Sequence, residues 1–453
     1  MKNLFNSKIL SLSQKLGSPL YAVGGCVRDF ILEKNLSLDI DLASACHFDR
    51  VEEIANSIGL FVVARYKRTG TLVLFDGERK YEFTSFRKDF YSSGGAHAPS
   101  KVVFTDSILE DALRRDFKCN AVYYDITNGR FVDPLGGVED IKNSIISTVK
   151  DANEVFSHDG LRLMRLARFC SELNFTPSEQ TLMGAKQNRE NIVDISKERI
   201  FSELLKILYS DKRHSFSDEL WHYKGLKILQ DIGVLPIILP EVCSGDKVLQ
   251  RADYHKYDVL EHTLSCVKYA DEKVRLSALF HDVAKPYCLE RDGNFYMHAK
   301  VGAKMTKDIL KRFAVSNKLI DETSKLVEYH MLDFNAMKES KLRLFIVENY
   351  QILDKLLLLK EADFRALKDQ PVPIDLNLRV KNLITQMQSD KTPFSIKDLN
   401  LSAIDLMQLG FNGKQIGYAL KRLMRECVIN PKFNDRQKLT VLALNMLKNC
   451  KNI

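Results

Sequence analysis

The chain reads as α+β: a small mixed-sheet head at the N-terminus, followed by a long all-helical neck, body and tail. Three observations predict this. Short period-two apolar runs bounded by glycines and polar turns are concentrated before about Lys150. From Asp140 onward strand signals fade and helical periodicity takes over, broken at Pro236, Pro240, Pro286, Pro371, Pro373, Pro393 and Pro431. Finally, 453 residues exceed what one hydrophobic core serves, so about two to four domains are expected. The expected boundaries are head 1–145, neck 146–210, body 211–365 and tail 366–453.

The elements follow in order. Leu20 to Val23 reads as a short buried strand, and Val27 to Lys34 as a helix entered through Gly24-Gly25. Leu38-Asp39-Ile40-Asp41-Leu42 alternates with period two, which sends both carboxylates to one face of a strand. Val51 to Ile58 is expected to be helical. Leu60 to Ala64, Thr71 to Phe75, Lys80 to Thr84, Asn120 to Tyr124 and Phe131 to Asp133 read as strands. Between Phe86 and Val102 a polar stretch, Tyr91-Ser92-Ser93-Gly94-Gly95-Ala96-His97-Ala98-Pro99, reads as a functional loop.

Composition sets broad limits. A hydrophobic fraction of 45% and a charged fraction of 28% are those of an ordinary soluble protein. A net charge of +8 favours a polyanionic partner. The nine cysteines are scattered with no Cys-x-x-Cys pair, which points to free thiols in a reducing cytoplasm and away from disulfides or a zinc ribbon. Met1 to Leu16 is amphipathic without a signal-peptide core, and no apolar run approaches membrane-spanning length.

Chemistry concentrates where glycines, arginine and two carboxylates follow one another. In Gly24-Gly25-Cys26-Val27-Arg28-Asp29 the glycines let backbone N–H groups approach an anion at the start of a helix. Asp39 and Asp41, side by side, repel unless cations sit between them, and hard divalent ions such as Mg²⁺ also hold phosphates. A phosphate cradle beside a metal-binding carboxylate pair implies phosphoryl or nucleotidyl transfer. Arg114-Arg115-Asp116-Phe117, ahead of Asn120, can hold a triphosphate and a ribose; a surface ion-pair patch is the plainer reading. Asp159, Arg162, Arg165 and Arg168 recur every three residues, so they share one side of a helix. Few acidic residues stand at pairing distance in the local sequence, which suggests a polyanion against that face.

These motifs resemble the class II nucleotidyltransferase family of bacterial tRNA CCA-adding enzymes and poly(A) polymerases. The resemblance is carried by Gly-Gly-Cys-Val-Arg-Asp, Asp39-Ile40-Asp41, Glu82-Phe83-Thr84-Ser85-Phe86-Arg87, Arg114-Arg115-Asp116-Phe117, Asp133-Pro134-Leu135-Gly136-Gly137, the Asp159–Arg168 segment and Lys197-Glu198-Arg199-Ile200. It covers about the first half of the chain, with the family's order and spacing. It implies that Asp39 and Asp41 are catalytic and hold two Mg²⁺ ions. It further implies that Gly24, Gly25, Arg28, Arg115, Asp116 and Asn120 bind the nucleotide, with Arg165 and Arg168 on the triphosphate side. Asp159 and Arg162 match the pair that reads the incoming base. Glu82 is either a third metal carboxylate or a structural strand residue, and the sequence leaves both open.

A carboxylate beside a guanidinium suits cytosine and adenine, each of which offers an amino donor next to a ring-nitrogen acceptor; guanine and uracil present the opposite order. One fixed pair can thus accept C and A without a nucleic-acid template. The chain departs from the family's Glu-Asp-x-x-Arg in having His158 before Asp159.

A second pattern lies in the helical body. His262, His281-Asp282 and Asp363, with His298 and His330 as further candidates, are ligand types for a divalent transition metal or Mg²⁺. They resemble the HD superfamily of metal-dependent phosphohydrolases; a retained helical scaffold without turnover is the alternative. The tail, with Lys421, Arg422, Arg425, Lys432, Arg436 and Lys438, suits RNA recognised by shape and phosphates, or is a solvated face. Together these imply a cytoplasmic tRNA nucleotidyltransferase using CTP and ATP, with no membrane partner. The alternatives are a poly(A) polymerase, an enzyme adding only CC or only A, an HD phosphohydrolase with an RNA-binding head, and a non-catalytic RNA-binding protein.

Overall fold

The computed structural model describes residues 1, 5–34, 40–91, 99–213 and 220–450. It divides into two compact units, residues 1–248 with 308–316, and residues 249–307 with 317–453.

In the first unit, helix α1 (Ser7–Lys15) precedes β1 (Tyr21–Val23) and α2 (Gly25–Ile31). Then come β2 (Ile40–Ser44), α3 (Phe48–Ser57), β3 (Phe61–Tyr66), β4 (Thr71–Phe75) and β5 (Lys80–Ser85). The head continues through β6 (Arg87–Phe90), β7 (Lys101–Phe104), α4 (Ile108–Leu113), β8 (Tyr123–Asp125), β9 (Arg130–Val132) and α5 (Gly137–Lys142). Among the described residues seven strands form one sheet in the order β3-β4-β5-β2-β1-β8-β9. Strands β2 and β5 run parallel. The remaining neighbours are antiparallel.

The sheet follows from alternation. In β5, Tyr81 and Phe83 are buried while Lys80 and Glu82 are exposed. Each large apolar side chain so buried contributes about 1.5–3 kcal/mol. A core of Val23, Ala43, Phe86, Ala112, Ala121, Tyr123, Val149 and Val155 packs this part of the head.

Two expectations need revision. The stretch from Phe86 to Val102 is not all loop: β6 and β7 pair from Arg87↔Phe104 to Phe90↔Lys101. Their mixed polar composition hid them, because the ribbon is half solvated and shows only a weak apolar alternation. The expected strand from Asn120 begins instead at Tyr123, because residues 118–120 form a 3₁₀ turn closed by Ala121 N–H donating to Lys118 O at 2.9 Å. Residues 92–98 lie outside the described residues.

Beyond the head, β10 (Ile145–Ile146) leads to α6 (Ala152–His158) and α7 (Leu161–Leu173), and β11 (Thr176–Pro177) pairs with β10 in parallel. Helices α8 (Glu179–Gln187), α9 (Lys197–Leu208), α10 (Trp221–Asp231), α11 (Leu235–Ile238) and α12 (Pro240–Cys243) follow. Helix α7 is the axis of this part, with all its residues but Arg165 buried. Gly225 of α10 permits its close approach, since a Cβ there would stand 3.0 Å from Ser171 of α7 and 2.6 Å from Ile207 of α9.

The second unit is helical among its described residues. It holds α13 (Val259–Tyr269), α14 (Arg275–Phe280) and α15 (Lys285–Asp292). Helix α16 (His298–Arg312) follows, its residues from 308 grouping with the first unit. Next are α17 (Asn317–Tyr329), α18 (Glu339–Glu348), α19 (Tyr350–Lys368) and α20 (Leu378–Ser389). The tail comprises α21 (Ala403–Gln408), α22 (Lys414–Ile429) and α23 (Arg436–Cys450) around Leu406, Phe411, Leu423 and Leu439. No described helix is long and apolar enough to cross a membrane.

Candidate active site and metal centre

Strand register builds the head site. Asp41 of β2 is directly opposite Glu82 of β5 and Val23 of β1. Adjacent strands lie about 4.8 Å apart, and both carboxylates are exposed on one face. They line a cavity of about 460 Å³ with Thr69, Thr71, Thr84, Arg87, Arg114 and Arg115. Gly24 adopts φ +80° and ψ −141°, a backbone region open to glycine. A Cβ at Gly24 would stand 3.0 Å from Asp41 Oδ2. The glycine turn therefore packs against the carboxylate it precedes in sequence. Asp39 lies outside the described residues.

Arg115 is aimed by Asp111, which the sequence reading missed. Its Nη2 is 3.2 Å from Asp111 Oδ2, its Nε donates to the Tyr123 hydroxyl at 3.2 Å, and that hydroxyl donates to Asp111 at 2.7 Å. Burial raises the Asp111 pKa, but Arg114 and Arg115 outweigh it and bring the value down to about 2. The signal was present: Asp111 on α4 stands three and four residues before Arg114 and Arg115, the spacing of helical ion pairs.

The other predicted nucleotide residues form a buried chain. Arg28 donates through Nε and Nη2 to Asp29 Oδ1 at 2.9 and 2.6 Å, and through Nη1 to Asn120 Oδ1 at 2.6 Å. Asn120 Nδ2 donates to Asp116 Oδ1 at 3.2 Å, and Arg165 reaches Asp116 Oδ2 at 2.6 and 2.7 Å. Asp116 is buried, yet the charges of Arg165 and Arg162 bring it to about 2. Arg28 is 1% exposed, so it acts beneath Gly25 as part of this network.

The arginine face differs from expectation. Asp159 is not on the helix with the arginines; it closes α6 in extended conformation and accepts from Leu161 N–H at 2.9 Å. Partners arrive from elsewhere in the fold. Arg168 is buried against Glu203 of α9 at 2.7 Å and Glu172 at 3.5 Å. Arg213, also missed, joins Glu172 at 3.3 Å to Asp29 at 3.7 Å. Arg162 donates to the carbonyl oxygens of Val155 at 3.1 Å and Arg114 at 2.7 Å. That last bond ties it to the cavity wall. Burial pushes the Asp159 carboxyl up to about 6, against the pull of Arg162.

In the second unit the predicted ligands converge. His262, His281 and Asp282 form one potential metal-binding group, and Asp282, His298 and His330 another. Asp282 Oδ2 is 3.4 Å from His262 Nε2 and 3.2 Å from His281 Nε2. Asp282 Oδ1 is 3.2 Å from His298 Nε2 and 3.7 Å from His330 Nε2. Asp363 closes the first group at 3.0 Å from His262 Nε2. His281, His298 and His330 each approach a backbone carbonyl through Nδ1, at 2.8, 2.8 and 2.7 Å. A proton on each Nδ1 leaves Nε2 bare and facing inward, the arrangement that orients metal-binding imidazoles. Burial opposes ionisation of Asp282, but His281 and Lys285 hold its carboxyl well below the ordinary range. Lys285 Nζ, at 2.7 Å, is a neighbour the sequence reading did not name.

Comparison with known proteins gives three family matches along the chain. Residues 20–147 match the poly A polymerase head domain, 174–245 the probable RNA and SrmB-binding site of polymerase A, and 249–365 the HD domain. In one chain these matches join a polymerase-type head, an RNA-binding segment and an HD domain. The chain is 38% identical over 202 residues to a CCA-adding enzyme of Lactobacillus helveticus, an overlap of 44% of this chain and 48% of that enzyme. It is 32% identical over 253 residues to one of a Geobacillus species, 56% of this chain and 58% of that enzyme. The chain thus spans about half the length of the curated relatives it matches. The fold resembles that of the Bacillus stearothermophilus CCA-adding enzyme in complex with CTP, with TM-score 0.67, 22% identity and coverage of 99% of this chain and 100% of that one. It also resembles the Thermotoga maritima CCA-adding enzyme complexed with tRNA, with TM-score 0.56, 18% identity and coverage of 98% and 95%.

Proposed function

We propose that this chain is a tRNA nucleotidyltransferase that adds or repairs the 3′-terminal CCA of tRNA from CTP and ATP, releasing pyrophosphate. The observation that carries the reading is the register that sets Asp41 beside Glu82 at an arginine-lined cavity. Hard oxygen donors with arginines opposite suit a divalent metal and a triphosphate together. Asp39, Asp41 and Glu82 would hold two Mg²⁺ ions, which supply charge stabilisation at the transferring phosphoryl group when bound. Arg115, held by Asp111 and Tyr123, would meet the triphosphate. Gly24 and Gly25 leave room for phosphate oxygens near the backbone. The Arg28–Asn120–Asp116–Arg165 chain holds that turn against α7, and Arg168 extends the network towards α9. Asp159 and Arg162 select cytosine and adenine, and the tRNA 3′-hydroxyl attacks the α-phosphate in line.

The exposed Lys421, Arg422 and Arg425 of α22 suit tRNA phosphates, in a division into head 1–145, neck 146–210, body 211–365 and tail 366–453. Free thiols at eight of the nine cysteines, from Cys26 to Cys427, support a cytoplasmic setting. The test is incubation with tRNA lacking its 3′ end and each labelled nucleotide, followed by sequencing of the products. Addition of C, C and A in order supports the reading; a run of A identifies a poly(A) polymerase, CC or A alone a partial enzyme, and no addition refutes it.

A second activity is favoured by a specific observation, the sharing of Asp282 by two histidine pairs. Asp363, His262, His281 and Asp282 would hold one divalent metal, and Asp282, His298 and His330 a second, in a phosphohydrolase centre. Asp282→Ala should remove metal-dependent phosphatase or phosphodiesterase activity and spare nucleotide addition. Retention of the hydrolytic activity would exclude this centre.

A further inference from the structure

Tyr91 and His158 meet face to face, with ring centroids 4.8 Å apart and planes within 15°. Tyr91 directly follows β6, and His158 is the last residue of α6, one position before Asp159. The Arg162 guanidinium carbon lies 5.9 Å from the centre of the Tyr91 ring. Both aromatic residues are partly buried. Burial and the Lys150 charge depress the His158 pKa, so at neutral pH the ring is uncharged beside Arg162. A neutral imidazole cannot pair with a guanidinium as a carboxylate does. Its flat face can still fix a second ring, and that ring can bound the guanidinium. Arg162 also donates to the carbonyl oxygens of Val155 and Arg114, one from each terminal nitrogen.

We propose that Tyr91 and His158 are positioning residues for base selection: their stack holds the Arg162 guanidinium in the plane from which, with Asp159, it reads the nucleobase. The inference rests on the base-reading role of Asp159 and Arg162.

The test is single-turnover incorporation of C, A, U and G by the full chain carrying Tyr91→Ala, His158→Ala, both together, Tyr91→Phe or His158→Phe. Aromatic pairs of this kind correspond to about a threefold to tenfold effect. The C-over-U preference should fall by that factor in each alanine variant and no further in the double variant, because one stack is lost in all three. The phenylalanine variants keep a ring at each position and should retain the preference. Trp221 fluorescence against urea checks that the first unit remains folded in each. An unchanged preference in both alanine variants, an equal loss for all four nucleotides, or an additive double variant overturns the proposal. A wild-type chain that incorporates nucleotides without preference refutes the base-reading role itself, and one that incorporates none refutes the proposed function; either removes this inference with it.

Discussion

Replacing Asp159 by asparagine should make the protein more stable at neutral pH while damaging its proposed selectivity. Asp159 is 6% exposed, and burial lifts its carboxyl from 3.8 to about 6. At about 1.4 kcal/mol per pKa unit, ionising it in the folded state costs about 3 kcal/mol more than in the unfolded chain. The sign follows from proton binding. Between the unfolded and folded values the native state holds more protons, so the stabilisation is complete below 3.8 and lost as pH rises through about 6. Asparagine carries no such charge, and its carbonyl oxygen can still accept from Leu161 N–H, so that bond at the start of α7 is kept. The assay can report on the right unit, because the chain's one tryptophan, Trp221, sits on α10, which packs against α7. At pH 7.5 the urea midpoint of Asp159→Asn should exceed that of the wild type by about 1 M, for a denaturant slope near 3 kcal/mol/M. The gap should close towards pH 4. A gap of the same size at both pH values, or a variant less stable at pH 7.5, would refute the burial argument. Loss of the C-over-U preference should accompany the gain, since an amide offers both a donor and an acceptor where the base meets only an acceptor now.

Further outcomes follow from the same geometry. Asp41→Ala should lower nucleotide addition by at least about 10²–10³-fold, the range for removing one preorganised charge contact, with the Trp221 unfolding transition little changed. Glu82→Gln should raise the Mg²⁺ concentration needed for half-maximal rate if it is a third ligand; an unchanged midpoint makes it a structural strand residue. Gly24→Ala forces a side chain into a glycine-only backbone region and against Asp41, so unfolding should show about 1–3 kcal/mol of destabilisation together with loss of turnover. In the second unit, His298→Ala should lower bound metal by about one ion per chain and Asp282→Ala by both. Metal analysis after dialysis that finds equal content in the two variants would argue against a shared Asp282.

What could be read in the sequence, and what could not, divides along a physical line. Strand alternation showed β4 and β5, because Leu72, Leu74, Tyr81 and Phe83 must face one way and Glu82 the other. It showed that Asp41 and Glu82 belong to strands, but not that they are direct neighbours, since register between parallel strands about forty residues apart is fixed by packing. The histidine–aspartate cluster of the second unit was legible because these residues are rarely placed in apolar helical runs without reason; the carbonyl contacts made by Nδ1 of His281, His298 and His330 were not.

The arginine face shows the limit most clearly. Positions 162, 165 and 168 were found by spacing, and the scarcity of nearby acids suggested an external polyanion. The fold supplies the acids instead. Asp116 reaches Arg165 from 49 residues away, and Glu203 reaches Arg168 from another helix. Helix α7 is buried on almost every side, and a desolvated guanidinium without a partner would be untenable there. Arg165, the most exposed of the three, therefore keeps the greatest freedom to exchange its carboxylate for a phosphate, while Arg168 is held by two glutamates. If nucleotide binding recruits this face, Arg165→Ala should weaken all four nucleotides alike, and Arg168→Ala should act mainly through stability, leaving buried Glu172 to Arg213 alone and buried Glu203 to Lys206 alone. Equal effects on nucleotide affinity from the two variants, with equal stability, would show that burial does not rank them.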